Sequence, residues 1–99
     1  MKFLALEKEI AGVTSTDIQP HLRAEAQCVW ELHKANIIRE VYFTKERHEA
    51  VLILECDSVK EARKYLRTLP LVQHHLITFD LHTLEPYTGF ERLFAGTNP

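Results

Sequence analysis

The sequence predicts a single α+β domain with the element order strand–helix–strand–strand–helix–strand. Three observations predict it. Four β-rich segments, "KFLALEKE", "IIREVYFT", "AVLILEC" and "LITFDLHTL", punctuate the chain. The first and third intervals between them carry apolar residues at helical spacing, while the second, "KERHE", is long enough only for a charged turn. A length of 99 residues suffices for one core and not for two. This order is the split βαβ, or ferredoxin-like, pattern. It implies an antiparallel four-stranded sheet in spatial order 4-1-3-2 with both helices on one face. The single domain covers residues 1–99, with 86–99 a C-terminal tail.

Strand one, "KFLALEKE", is apolar on both alternating faces through Phe3, Leu4, Ala5 and Leu6. The connector "AGVTSTDIQP" has turn chemistry; Asp17 is expected to cap the next helix, with Pro20 in its first turn. That helix is expected to run to about Ala35. Leu22, Ala26, Val29 and His33 form its apolar stripe, Ile18 and Leu32 flank them, and Arg23, Gln27, Glu31 and Lys34 lie opposite. Asn36 is its expected stop. Strand three is apolar on both faces from Ala50 to Leu54. Ser58 and Glu61 then make a capping box for helix two, which carries Val59, Ala62, Tyr65, Leu66 and Leu69 and is expected to end at Pro70. Strand four alternates, with Ile77, Phe79 and Leu81 on one side and Thr78, Asp80 and His82 on the other. The apolar trio is expected to pack on the helices.

Composition narrows the function classes. Apolar residues are 45% and charged residues 26%, with a net charge of −2. No basic surplus draws in phosphates, and the central strands offer Leu, Val and Ile where an RNA-binding sheet needs stacking aromatics. No apolar run approaches the ~20 residues that span a bilayer. The start "MKFLALEKE" turns charged after a four-residue apolar patch, unlike a signal peptide, so a cytoplasmic location is expected. Cys28 and Cys56 are the only cysteines; they are expected to be reduced, and without a CxxC the chain does not look like a heavy-metal carrier. No glycine-rich phosphate loop or metal-ligand spacing is present, so no cofactor and no metal are expected.

Two helices cover only one face of a sheet whose central strands are apolar on both. The second face needs a partner, because soluble monomers rarely expose apolar patches of more than a few hundred Å². A second copy, sheet against sheet under two-fold symmetry, is the simplest.

The segment "SVKEARKYLRTLPLVQHHLITFDLHTLEP", with Asp80 and Pro86, resembles the muconolactone isomerase-like family of the dimeric α/β-barrel superfamily. The segment "LRAEAQCVWELHKANIIREV", with Arg39, is similar to that family's first helix and following strand. The resemblance covers about nine-tenths of the chain. It implies a barrel of two facing sheets, a homodimer or larger ring of dimers, a small organic ligand, and cofactor-independent isomerisation, by proton transfer, of an unsaturated lactone or similar small organic acid. The tail departs from it: "PYTGFERLF" is aromatic and apolar, where the isomerase ends in a short polar tail. A non-catalytic ligand-binding or assembly module on the same scaffold is the competing reading.

Candidate site residues follow. Asp80 and His82 share a strand face, so a carboxylate can orient an imidazole for proton transfer; the plainer use is a polar face at an interface. Arg39 can grip a substrate carboxylate or make an interface salt bridge. Arg39 and Asp80 sit on opposite edge strands, about 14 Å apart at the usual strand spacing, so they can meet only across a dimer. Trp30 and His33, one helical turn apart, and Tyr42, which shares a strand face with Glu40, are candidates for substrate binding or for core and rim packing. His74 and His75 are adjacent and diverge, and His48 lies in a turn, so a converging ligand set is not expected. Tyr87, Phe90 and Phe94 in the tail are expected to dock on a second subunit or on the helices.

Overall fold

The computed structural model describes residues 1–95. The order is β1 (Lys2–Glu9), α1 (Ser15–Ile18), α2 (Leu22–Lys34), β2 (Ile38–Phe43), β3 (Ala50–Glu55), α3 (Val59–Leu66), α4 (Pro70–Gln73), β4 (Ile77–Leu84) and α5 (Arg92–Ala95). The sheet is antiparallel throughout, in the order β2-β3-β1-β4. Read from the other edge this is the predicted 4-1-3-2, and the fold is ferredoxin-like.

Register decides which side chains meet the helices. Phe3 pairs with Leu54 and Ala5 with Leu52, and Ala5 also pairs with Leu81. With Ile38, Ala62, Leu66 and Leu69 these residues build the core, and Phe3, Ile38, Leu52, Leu54 and Leu69 are fully buried. Each such side chain stabilises the fold by roughly 1.5–3 kcal/mol. Strand four has the predicted phase. Ile77 is buried and Phe79 and Leu81 pack against the core, while Thr78, Asp80 and His82 are exposed on the other face. Leu4, Leu6, Val51 and Ile53 share that second face and are only half-buried. A one-residue slip would exchange the two sets.

Three local features differ from expectation. Asp17 is not the N-cap. Thr14 is, and Asp17 closes a capping box: Thr14 N donates to Asp17 Oδ2 at 2.8 Å, and Asp17 N donates to Thr14 Oγ1 at 3.4 Å. The signal is the spacing Thr-x-x-Asp, which lets each side chain satisfy the other residue's backbone donor. The helix that follows is also broken. Pro20 has no N–H to continue the ladder, so a 3₁₀ turn at Gln19–His21 joins α1 to α2. Finally, Pro70 starts a helix rather than stopping one. α3 ends at Leu66, Leu69 is extended (φ −69°, ψ 127°) as a residue before proline prefers, and Pro70 opens α4. Asn36 does stop α2, at φ 64°. Arg39 is the extra residue of a bulge, because Ile38 and Glu40 face the adjacent Leu54 and Ile53.

The helix layer is lopsided. α3 places Ala62 and Leu66 in the core, whereas α2 buries no residue and leaves Trp30 54% exposed. α2 meets the core only through the half-buried Cys28, Val29 and Leu32, and a cavity lies between it and the sheet. Beyond β4 the chain continues as an arm. Its radius of gyration, 17.0 Å, exceeds the ~13 Å of a compact domain this long. Tyr87 and Phe90 meet edge to face at 4.9 Å, yet these two and Leu93 stay at least 65% exposed, so they do not dock on the chain's own helices. Residues 96–99, the end of the expected tail, lie outside the described residues.

Candidate functional site

The cavity between sheet and α2 has a volume of about 870 Å³. Its floor is the helix-facing side of the sheet, including Glu7, Leu52, Ile77 and Phe79. Its roof is the stripe read from the sequence, Ile18, Leu22, Ala26, Val29 and His33, joined by Glu25 and Trp30. Such a volume and apolar lining suit a small organic molecule.

Two carboxylates stand out against that lining. Glu7 continues the inward phase of Phe3 and Ala5 on β1; its Oε1 accepts from Ala50 N at 2.8 Å. Burial pushes its pKa above the ordinary 4.5; the Ala50 N–H pulls it back, the charges of Glu49 and Glu9 raise it further, and His48 lowers it. Glu25 comes from the roof, where its Oε1 accepts from Leu71 N at 2.9 Å and ties α2 to α4. Its pKa is also raised, first by burial; the Leu71 N–H opposes this and the charge of Glu7 adds to it. A carboxyl group adjusted upward toward neutrality is suited to giving and taking protons.

His33 adds a third polar group. Its Nδ1 lies 2.8 Å from Ile38 O. A carbonyl only accepts, so Nδ1 carries the hydrogen, and in the neutral ring Nε2 keeps its lone pair. Trp30 lies beside His33 with ring centroids 6.0 Å apart, and Lys34 Nζ sits 5.8 Å from the Trp30 ring. At the mouth, His48 stacks on Phe43 at 3.9 Å, and Arg47 reaches Glu9 at 3.8 Å and Glu49 at 3.9 Å.

The structure thus divides the residues singled out in the sequence. Trp30 and His33 line the cavity. Asp80 and His82 lie on the opposite face of the sheet, paired with Leu6 and Leu4, and Asp80 Oδ2 is 3.6 Å from Lys8 Nζ. Tyr42 shares that face opposite Val51; its hydroxyl donates to Glu40 Oε1 at 2.7 Å, which raises its pKa, with the Glu40 charge acting the same way. Arg39 Nε donates to Asn36 O at 2.8 Å, on the edge strand remote from Asp80. His74 caps α4 and stacks on His21 at 4.2 Å, away from His82. Among the described residues no three His, Cys, Asp or Glu side chains gather as metal ligands. Cys28 and Cys56 are free thiols.

Glu7 and Glu25 were the residues missed. Both had a signal. Glu7 falls in phase with Phe3 and Ala5, and Glu25 sits three residues after Leu22 and one before Ala26, inside the apolar stripe. A charged residue on a buried phase is the informative exception.

No family model matches the chain, and no curated protein matches it. Among solved structures it is similar to the 5-chloro-2-hydroxyhydroquinone dehydrochlorinase of Burkholderia phenoliruptrix, determined in complex with 2,5-dihydroxybenzoquinone. The TM-score is 0.64 at 20% identity, over 90% of this chain and 98% of that one. No described helix is long and apolar enough to cross a membrane. At that identity the likeness shows the fold alone, which is ferredoxin-like.

Proposed function

We propose that the chain is a small cofactor-independent enzyme that binds a small organic molecule between sheet and α2 and moves a proton on it. The observation that carries this is the pair of half-buried carboxylates, Glu7 and Glu25, with raised pKa values in one apolar cavity. One carboxylate takes a proton from a carbon beside a carbonyl, and the C–H electron pair moves toward the carbonyl oxygen. A second group, the other glutamic acid, returns a proton elsewhere on the same molecule. Trp30 offers the ligand an aromatic wall. The net change is an isomerisation, and the resemblance to muconolactone isomerase-like proteins makes an unsaturated lactone the first substrate to try. The solved neighbour, an enzyme bound to a small ring compound, supports a ligand of that size.

The half-buried Leu4, Leu6, Val51 and Ile53 on the second face support a homodimer formed sheet to sheet, in which Asp80, His82 and Tyr42 become interface groups. A cytoplasmic location goes with this reading. The competing function is non-catalytic ligand binding in the same cavity. Turnover assays with unsaturated lactones on the wild type, Glu7→Gln and Glu25→Gln separate the two. Catalysis predicts a loss of turnover of about 10²–10⁴ in one or both variants, the usual contribution of a positioned acid or base. Ligand binding without turnover in the wild type would leave the binding module.

A further inference from the structure

The charges around the cavity are unevenly placed. Among its lining residues are three carboxylates, Glu7, Glu9 and Glu25, and one guanidinium, Arg47. Arg47 is already committed to Glu9 and Glu49 at the mouth. His33 spends its Nδ1 hydrogen on Ile38 O. Among the described lining residues Arg47 is the one Lys or Arg side chain, and His48 is stacked on Phe43, so none of them stands free inside for an anionic ligand. The two inner carboxylates each use Oε1 to accept a backbone N–H, from Ala50 and from Leu71. Their Oε2 atoms are the remaining acceptors, one on the floor and one on the roof. His33 Nε2 is a third acceptor.

We propose that this cavity takes an uncharged organic ring compound bearing hydroxyl or amino donors, gripped by the second oxygens of Glu7 and Glu25, and turns away carboxylate-bearing molecules. The assignment rests on the cavity being the ligand site. Donors on the ligand meet acceptors that no described group satisfies, and a bond to a charged acceptor is stronger than one between neutral groups. An anionic ligand meets like charge on two half-buried carboxylates, where repulsion is less screened than in bulk water. A neutral lactone that carries a hydroxyl group stays within the class, and a lactone acid falls outside it. The preference should weaken as Glu7 and Glu25 take up protons. Glu49 and Glu9 beside Glu7, with His48 opposing them, and Glu7 beside Glu25, would set where that occurs.

Trp30 makes the test direct, because it is the only tryptophan in the chain and lines the cavity. In ¹⁵N-labelled protein its indole N–H gives one signal. Three probes of similar size are titrated at neutral pH: resorcinol, its dimethyl ether, and isophthalate. Resorcinol is expected to shift the indole signal saturably, at least about tenfold more tightly than the ether, the margin a charge-assisted hydrogen bond supplies. Isophthalate is expected not to saturate. Glu25→Gln or Glu7→Gln should weaken resorcinol and admit isophthalate. If isophthalate or the ether binds the wild type as well as resorcinol does, the ligand class is wrong while the cavity stands. If the variants keep the wild-type ranking, the two carboxylates do not set it and the proposal falls. If no probe moves the signal, the cavity is not a ligand site and both readings fall. Should a variant lose its dispersed amide spectrum, the wild-type ranking alone decides.

Discussion

Glu7 and Glu25 face one cavity from opposite walls, and each holds a neighbouring element by a single backbone bond. Glu7 on β1 accepts from Ala50 at the start of β3, and Glu25 on α2 accepts from Leu71 in α4. Each bond is a structural tie, and each carboxylate is also displaced from water. The Glu7 charge raises the Glu25 pKa, so the two carboxylates also oppose each other's ionisation. Their burial opposes the ionised form that neutral pH imposes, and this has a measurable consequence.

Both folded-state pKa values lie above the ordinary 4.5. Between that value and the folded one, the native state binds more protons than the unfolded chain, so these groups make stability fall as pH rises through the window. Glu7→Gln and Glu25→Gln keep an acceptor oxygen for Ala50 and Leu71 and remove the charge. Each should raise the thermal midpoint at neutral pH, and the gain should shrink as pH is lowered toward 4.5. Calorimetry of the wild type and both variants across this range checks it. Variants less stable than the wild type at neutral pH would mean that the carboxylate–amide bonds outweigh the cost of burial.

The lopsided core predicts a contrast in mutational cost. Leu54 is fully buried between β1, β2 and the helices, and Leu54→Ala should cost about 2–5 kcal/mol. Val29 faces the cavity from a helix with no buried residue, and Val29→Ala should cost under about 1 kcal/mol because little surface is re-exposed. Urea unfolding of both variants measures the difference. Equal costs would show that α2 closes onto the sheet in solution and that the cavity is not kept open.

The second face of the sheet predicts assembly. Leu4, Leu6, Val51 and Ile53 form an apolar strip on the central strands. Light scattering should give at least a dimer at micromolar concentration. Ile53→Asp buries an unpaired charge in that interface, and should weaken association by about a hundredfold or more while leaving the circular dichroism spectrum unchanged. A wild-type chain that stays monomeric would reject sheet-to-sheet pairing.

The fold was legible because its main signals are local and mutually consistent. The alternation of Ile77, Phe79 and Leu81 against Asp80 and His82 reports the face of β4 directly. The apolar spacing of Leu22, Ala26 and Val29 reports the inner face of the first helix. The breaks at Pro20 and Pro70 were harder, since proline is tolerated in a first helical turn as well as at an end, and only tertiary context chooses. The cavity was not legible, because periodicity shows which side of a helix turns inward but not how far from the sheet it stands. α3 places Ala62 and Leu66 in the core, whereas α2 meets it only through the half-buried Cys28, Val29 and Leu32. Glu7 and Glu25 were overlooked for the same reason: without a cavity, a carboxylate on an inward phase reads as a rim residue.

Asp80 and His82 supply the sharpest division between the two faces of the sheet. Both side chains are exposed, and Asp80 pairs with Lys8 at 3.6 Å with more than half its surface in water. A surface ion pair of this kind contributes about 0–1 kcal/mol, so Asp80→Asn should leave monomer stability nearly unchanged. The cavity lies through the sheet from them, reached by Glu7, whose neighbours on β1 alternate with those that meet Asp80. Asp80→Asn and His82→Ala should therefore leave ligand-induced shifts of the Trp30 indole within about twofold, while weakening sheet-to-sheet association, since a well-placed interfacial charge contributes on the order of 1 kcal/mol or more once desolvated. Glu25→Gln should do the reverse. If either open-face variant instead loses turnover with association intact, the chemistry belongs on the second face, between subunits. The cavity beneath α2 would then be a binding pocket without a catalytic role.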